Sequence, residues 1–309
     1  MFLAMGGNAL LRGTAGLAQL WGMSAFLLGL VVVGFGTSTP QLFTAMQVAV
    51  SGTPTLALAT AVGASIFNIF ATLGIVALSG GAVHLNVRLW VRGSLALALI
   101  ACGVAGAVTF FTLSGMPLPR WFGILCLAGL AVYVIAANAY DHKHPTPVPM
   151  LKQLRKFHPL VLVGLFVGGL LALILGANLL VDVTTQLTTT HNISPNLLGL
   201  TVLAVGTALP QLVASFMAYN DKQHGLLLNN LVGSTIFNLL GICGFIIAIK
   251  PMQLTHGVLL SSFIILAAAT IAFLIFTHPA MRRFKRAEAI LFILAYILYL
   301  AYVIHTLYF

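Results

Sequence analysis

Carboxylates are the scarcest chemistry in this chain. Four occur in 309 residues: Asp141, Asp182, Asp221 and Glu288. Charged residues of both signs make up only 6%, where a soluble domain carries about a quarter. With 60% hydrophobic residues and a mean hydropathy of +1.09, that deficit excludes an ordinary solvated globular surface. Cysteine is sparse too. Cys102, Cys126 and Cys243 lie in apolar stretches without metal-ligand spacing and read as buried free thiols. No GxSxG, HExxH or phosphate-binding glycine loop occurs, so the chain does not read as an enzyme and implies no resident cofactor. The nine histidines fall in loops or near the ends of apolar runs, without ligand spacing, and read as solvated.

What the chain has instead is long apolar runs. About 20 apolar residues cross a bilayer. Ten candidate spans emerge, at roughly 2–20, 24–50, 54–79, 88–112, 120–140, 159–187, 195–219, 224–249, 257–277 and 287–308. They group as a first five-helix unit (1–140), a Pro-rich basic linker (141–158) and a second five-helix unit (159–309). The first span is about eight residues shorter than its counterpart and reads as clipped, and no cleavable leader is evident. The net charge of +10 sits between the runs. That layout marks topology rather than nucleic-acid binding. With the N-terminus outside, eleven Lys and Arg fall in inner loops, and only Arg120 and Lys250 in outer ones. The expected fold is therefore all-α: a polytopic protein of the cytoplasmic membrane, with both termini outside and the linker inside. Because each unit has an odd number of spans, the second is inverted relative to the first.

The two units repeat one another. Gly36-Thr37-Ser38-Thr39-Pro40-Gln41 returns 170 residues later as Gly206-Thr207-Ala208-Leu209-Pro210-Gln211. Gly63-Ala64-Ser65-Ile66-Phe67-Asn68 returns at the same offset as Gly233-Ser234-Thr235-Ile236-Phe237-Asn238. About a third of positions 6–75 are identical at this offset, without a gap. Each copy places a Gly/Pro break inside an apolar run, and paired breaks in two halves point to a transport site at the bilayer midplane. Proline withdraws a backbone donor, and the freed carbonyls need a partner. Thr37, Ser38, Gln41 and Thr44 line about one helical face, with Thr207, Gln211 and Ser215 as the inverted set. The carbonyls of Gly34 and Ala204 add further oxygens. Asn68, Asn238 and Ser234 read as ligands or near-ligands, and Asn68 and Asn238 equally as interhelical hydrogen-bonding groups. Oxygen-only sets suit hard cations such as Na⁺ or Ca²⁺.

These two motifs, present twice in a ten-span chain, resemble the α-repeats of the cation/Ca²⁺ exchanger superfamily, in its microbial sodium/calcium exchanger branch. The resemblance covers nearly the whole length. It implies alternating access around an ion site between the four motif helices, and it carries over Thr37, Ser38, Gln41, Asn68, Thr207, Gln211, Ser234 and Asn238 as ligands. The departures are chemical. The family's glutamates are Gln41 and Gln211 here, a frequent aspartate is Asn238, and serines are Ala64 and Ala208. Asp182 and its counterpart Arg12 stand apart from the motifs, Asp182 reading as a span-end residue. A dehydrated Ca²⁺ ion calls for anionic ligands. The expectation is a secondary cation antiporter with a neutralised site, favouring monovalent cations such as Na⁺ over Ca²⁺. Two alternatives are a non-transporting or uncoupled regulatory homologue and a carrier of another small polar or anionic solute. The partners implied are the lipid bilayer and small inorganic cations.

Overall fold

The computed structural model describes residues 2–20, 34–50, 52–85, 93–143, 157–191, 194–220, 222–254, 257–281 and 283–308. Its helices, numbered in chain order, are α1 (Phe2–Leu20), α2 (34–50), α3 (Pro54–Gly80), α4 (Leu95–Leu113), α5 (Arg120–Lys143), α6 (Pro159–His191), α7 (195–220), α8 (His224–Ile249), α9 (Val258–Phe276) and α10 (Arg286–Tyr308). Eight of them, α3 to α10, are long and apolar enough to cross a membrane. The beginnings of the expected second and fourth spans, and linker residues 144–156, lie outside the described residues. Helix α5 continues to Lys143, inside the expected linker, and α6 opens on Pro159, whose missing N–H is harmless in a first turn.

Burial sorts the helices. In α3 and α8, 83% and 78% of the apolar window is inside the bundle, against 22% in α5 and 18% in α6. The two central helices are also the ones carrying the second motif. They run antiparallel, since Asn68 reaches Ser234 while Ser65 reaches Asn238. Helices α1 and α6 pack antiparallel as well. A Cβ on Gly13 would stand 2.5 Å from the Phe166 backbone nitrogen, one on Gly16 would strike Leu162, and one on Gly169 would strike Leu10.

Close glycine contacts recur at the repeat offset. Gly34 of α2 packs on Gly233 and Ser234 of α8, and Ala204 of α7, the counterpart of Gly34, packs on Gly63 of α3. Gly74 packs on Ile293, and its counterpart Gly244 packs on Gly123. In both central helices the backbone widens into a π-helical turn that begins on the last two motif residues, at Phe67–Thr72 and Phe237–Cys243. Such wide turns gather at functional sites.

Two short backbone pairings, which the apolar pattern does not reveal, join the ends of the bundle. Val83–His84 pairs antiparallel with Arg283–Phe284, and Leu118 bridges to Met252. One follows α3 and the other follows α8. The antiparallel course of those helices puts the pairings at opposite ends. Cys126 and Cys243 are buried free thiols as expected, but Cys102 is exposed on the outside of α4, where an apolar environment calls for no burial within the protein.

Candidate functional site

The site forms where α2 and α7 meet between α3 and α8; the expected break is one turn residue, Ser38, in α2, while α7 stays helical through Pro210. Pro40 and Pro210 cannot donate to the preceding turn. Neighbouring hydroxyls bond carbonyls of the turns just before the prolines. Ser38 Oγ donates to the Gly34 carbonyl at 3.0 Å, and Thr37 Oγ1 lies 3.2 Å from the same oxygen. Thr207 Oγ1 donates to the Leu203 carbonyl at 2.7 Å and lies 3.5 Å from that of Ala204. The two carbonyls read as ligand candidates, Gly34 and Ala204, are thus already in contact with hydroxyls of their own turns.

All eight side chains carried over from the motifs come to this region, each no more than 1% exposed. Gln211 Nε2 lies 3.0 Å from Gln41 Oε1, 2.9 Å from the Thr37 carbonyl and 3.2 Å from Ser38 Oγ. Asn68 Nδ2 donates to Ser234 Oγ at 3.3 Å. By repeat symmetry Asn238 would face position 64. Alanine stands there, and Asn238 Nδ2 donates instead to Ser65 Oγ at 3.2 Å. The partner is thus shifted by one residue relative to the repeat.

Asn230 is a site residue that the repeat comparison passes over, because its counterpart is Thr60. Its Nδ2 donates to Ser215 Oγ at 3.1 Å and to the Gln211 carbonyl at 3.3 Å, while its Oδ1 lies 3.2 Å from Thr37 Oγ1. It therefore ties α2 and α7 to α8. The available signal was an amide in the middle of an apolar run, one helical turn before Ser234.

The arrangement leaves oxygen lone pairs inside the bundle. Among the described residues, Gln211 Oε1, Asn68 Oδ1, Asn238 Oδ1 and Thr44 Oγ1 are buried without a hydrogen-bond partner, as is the Gln41 Nε2 donor. Buried polar atoms are normally paired, so such a cluster calls for a ligand or water. Among the described residues no group of three or more His, Cys, Asp or Glu could hold a metal ion. Asp182 and Arg12 are both exposed and contribute nothing here. The polar side chains gathered here are amides and hydroxyls.

A membrane bundle with two repeat-related, proline-containing helices meeting at buried polar side chains has the architecture expected of a transporter. A family model described as sodium/calcium exchanger protein matches residues 1–138 and 161–305. The chain belongs to the sodium/calcium exchanger family and is an integral membrane protein. Among its relatives, CaxA of Alkalimonas amylolytica is 26% identical over 300 residues, covering 93% of this chain and 90% of that protein. The inner membrane protein YrbG of Escherichia coli is 29% identical over 246 residues, covering 77% and 74%. The sodium/calcium exchanger MaX1 of Methanosarcina acetivorans is 27% identical over 134 residues, covering 43% and 38%. The fold is that of the sodium-calcium exchanger NCX_Mj. The structure of that protein soaked with 100 mM Na⁺ and 10 mM Sr²⁺ superposes with a TM-score of 0.75 at 22% identity, over 97% of this chain and 94% of that one.

Proposed function

We propose that this protein is a secondary cation antiporter with ten spans in two inverted five-helix units and a neutral ion site. Thr37, Ser38, Gln41, Asn68, Thr207, Gln211, Ser234 and Asn238 surround the ion, and Na⁺ is favoured over Ca²⁺. Support for the inverted arrangement comes from contacts that recur at the 170-residue offset: Gly34 with Gly233 against Ala204 with Gly63, and Gly74 with Ile293 against Gly244 with Gly123. The antiparallel pairs α1/α6 and α3/α8 agree with it. The charge distribution along the sequence supports both termini outside, in a cytoplasmic membrane.

The observation that carries the ion preference is the Gln211–Gln41 hydrogen bond. Two carboxylates at this spacing would need a shared proton or a metal cation between them. Two amides hold each other without one, and they leave only partial charges to offset dehydration. A monovalent ion loses less hydration energy on entry than Ca²⁺ and can be compensated by amide, hydroxyl and carbonyl oxygen. The test is ion flux in proteoliposomes under imposed Na⁺, Ca²⁺, K⁺ and pH gradients. Na⁺-driven or Na⁺-dependent flux with little Ca²⁺ movement is expected. Tight Ca²⁺ transport at micromolar concentration would defeat the reading.

The same hydrogen bond favours a second reading, a non-transporting regulatory homologue, because the junction closes without any ion. Absence of flux under every gradient, from protein that remains folded, would select it.

A further inference from the structure

At the end of the bundle where α3 and α7 finish and α8 begins lies a cavity of about 500 Å³ lined by Ala82, His84, Tyr219, Asn220, Lys222 and His224. The His84 and His224 rings stand edge to face with centroids 5.1 Å apart, and Tyr219 contacts His224 at 5.2 Å. The Tyr219 hydroxyl donates to the Gly80 carbonyl, fixing the wall. Among the described residues, His224 Nδ1 is buried without a hydrogen-bond partner. Arg283 is the cross-strand partner of His84, and both are exposed while Val83 and Phe284 are buried. Directly opposed residues of an antiparallel pair share a face, so Arg283 stands on the His84 side of the pairing, next to the lining residues.

The internal repeat supplies a control for this site. The turn joining α2 to α3 has the same hydrogen bonds as the turn joining α7 to α8. Gly52 N donates to the Ala49 carbonyl and Thr53 N to that of Val48; Lys222 N donates to the Tyr219 carbonyl and Gln223 N to that of Ala218. Gly52 has φ +100 and Lys222 has φ +59. The first turn uses the residues such a turn favours, glycine in the left-handed position and proline at the helix start. The second puts Lys222 and His224 in those two places. Elsewhere around the cavity His84 corresponds to Leu254, and Tyr219 to Ala49. Turn-optimal and inert residues at one end are replaced at the other by cationic and hydrogen-bonding ones. A non-glycine residue held at positive φ, with its side chain lining a cavity, is an outlier of the kind that marks function.

We propose that this cavity binds a phosphoryl anion. Lys222 and Arg283 supply fixed positive charge, and the two imidazoles supply N–H donors. His224 opens α8, so the positive end of that helix dipole lies at the cavity wall. No carboxylate lines the cavity among the described residues; Asp221 lies outside them. A divalent transition metal could use the imidazoles, but Lys222 and Arg283 would repel it. The chemistry is shared by free phosphate and by an anionic lipid headgroup, since the cavity lies at an end of the helix bundle.

The test uses the purified full-length protein and thermal stability as the readout of binding. Inorganic phosphate is titrated in neutral detergent, with Zn²⁺ in parallel, against wild type, Lys222→Gly and Lys250→Gln. A second series compares nanodiscs of phosphatidylcholine with and without phosphatidic acid. Lys222→Gly restores the residue that the other turn uses, so it removes the charge without damaging the turn. The expected result is a saturable stabilisation of wild type that Lys222→Gly weakens at least tenfold and Lys250→Gln leaves unchanged. Stabilisation by free phosphate identifies a soluble ligand, and stabilisation by phosphatidic acid alone identifies a headgroup. Equal responses of wild type and Lys222→Gly in both series, or stabilisation by Zn²⁺ alone, would overturn the proposal.

Discussion

Gln211 donates its side-chain amide to Gln41 across 3.0 Å, joining the two proline-containing helices, α2 and α7, at equivalent points of the repeat. Both side chains are fully buried. Replacing both amides by carboxylates changes charge with little change of shape. At 3 Å two full charges would repel by about 5 kcal/mol at an effective dielectric near 20. The empty Gln41→Glu/Gln211→Glu protein should therefore keep a proton on one carboxyl, and Ca²⁺ should displace it. We expect Ca²⁺ binding to appear or strengthen by at least tenfold in the double variant and to tighten as pH rises. Calcium isotherms at several pH values check this. Tight wild-type binding with no gain in the variant would show that neutral oxygens suffice.

The single variants should not be equivalent. Gln41 presents its Oε1 to Gln211, so a carboxylate at position 41 remains an acceptor for the same N–H and strengthens the bond. Gln211 presents Nε2 to three oxygens: Gln41 Oε1, the Thr37 carbonyl and Ser38 Oγ. A carboxylate there faces acceptors where it needs donors. Without divalent ions, Gln211→Glu should be less stable than Gln41→Glu by about 2 kcal/mol. Thermal melts of the two proteins in Ca²⁺-free buffer give the order directly, and the reverse order would mean that the amide polarity is wrong.

Close helix approach around the site can be tested at Gly63. A Cβ there would stand 2.7 Å from the Leu200 carbonyl oxygen and 2.8 Å from the Ala204 side chain. Neither can retreat without moving α7 away from α3. We expect Gly63→Ala to cost about 2 kcal/mol through overpacking. Gly103 on α4 has nothing within 4 Å, so Gly103→Ala should be neutral or stabilising by about 0.5 kcal/mol. Comparable melting temperatures for the two variants would contradict this packing.

Repetition made much of this legible in the sequence. Gln41 and Gln211, like Asn68 and Asn238, are found by asking what the two copies share, and the structure brings all four to one place. The same question hides what the copies do not share. Asn230 pairs with Thr60, and Lys222 with Gly52, so repeat matching discards both. The partner of Asn238 moves from position 64 to Ser65 because alanine offers no hydroxyl, a consequence visible only once α3 and α8 are packed. The histidines are a related case. Their loop positions imply solvation, yet His224 is half-buried against His84, because backbone pairing between two distant loops carries His84 there. Apolar patterning contains no information about that pairing.

The lysine in the left-handed position also gives a stability prediction that is independent of any ligand. An L-residue with a side chain pays about 1 kcal/mol in this conformation, and glycine does not. Gly52 occupies the matching turn with φ +100, and the hydrogen bonds of the two turns correspond one for one. Lys222→Gly removes that strain without deleting a backbone bond. Glycine's greater freedom in the unfolded chain offsets part of the gain. Without added anions, Lys222→Gly should be more stable than wild type by about 0.5 kcal/mol, whereas Lys222→Val, whose β-branch suits positive φ poorly, should lose about 1 kcal/mol. Melting curves of the three proteins in anion-poor buffer decide it. If Lys222→Gly melts lower, the lysine side chain is holding the turn together, and its place in the fold is structural rather than a concession to binding.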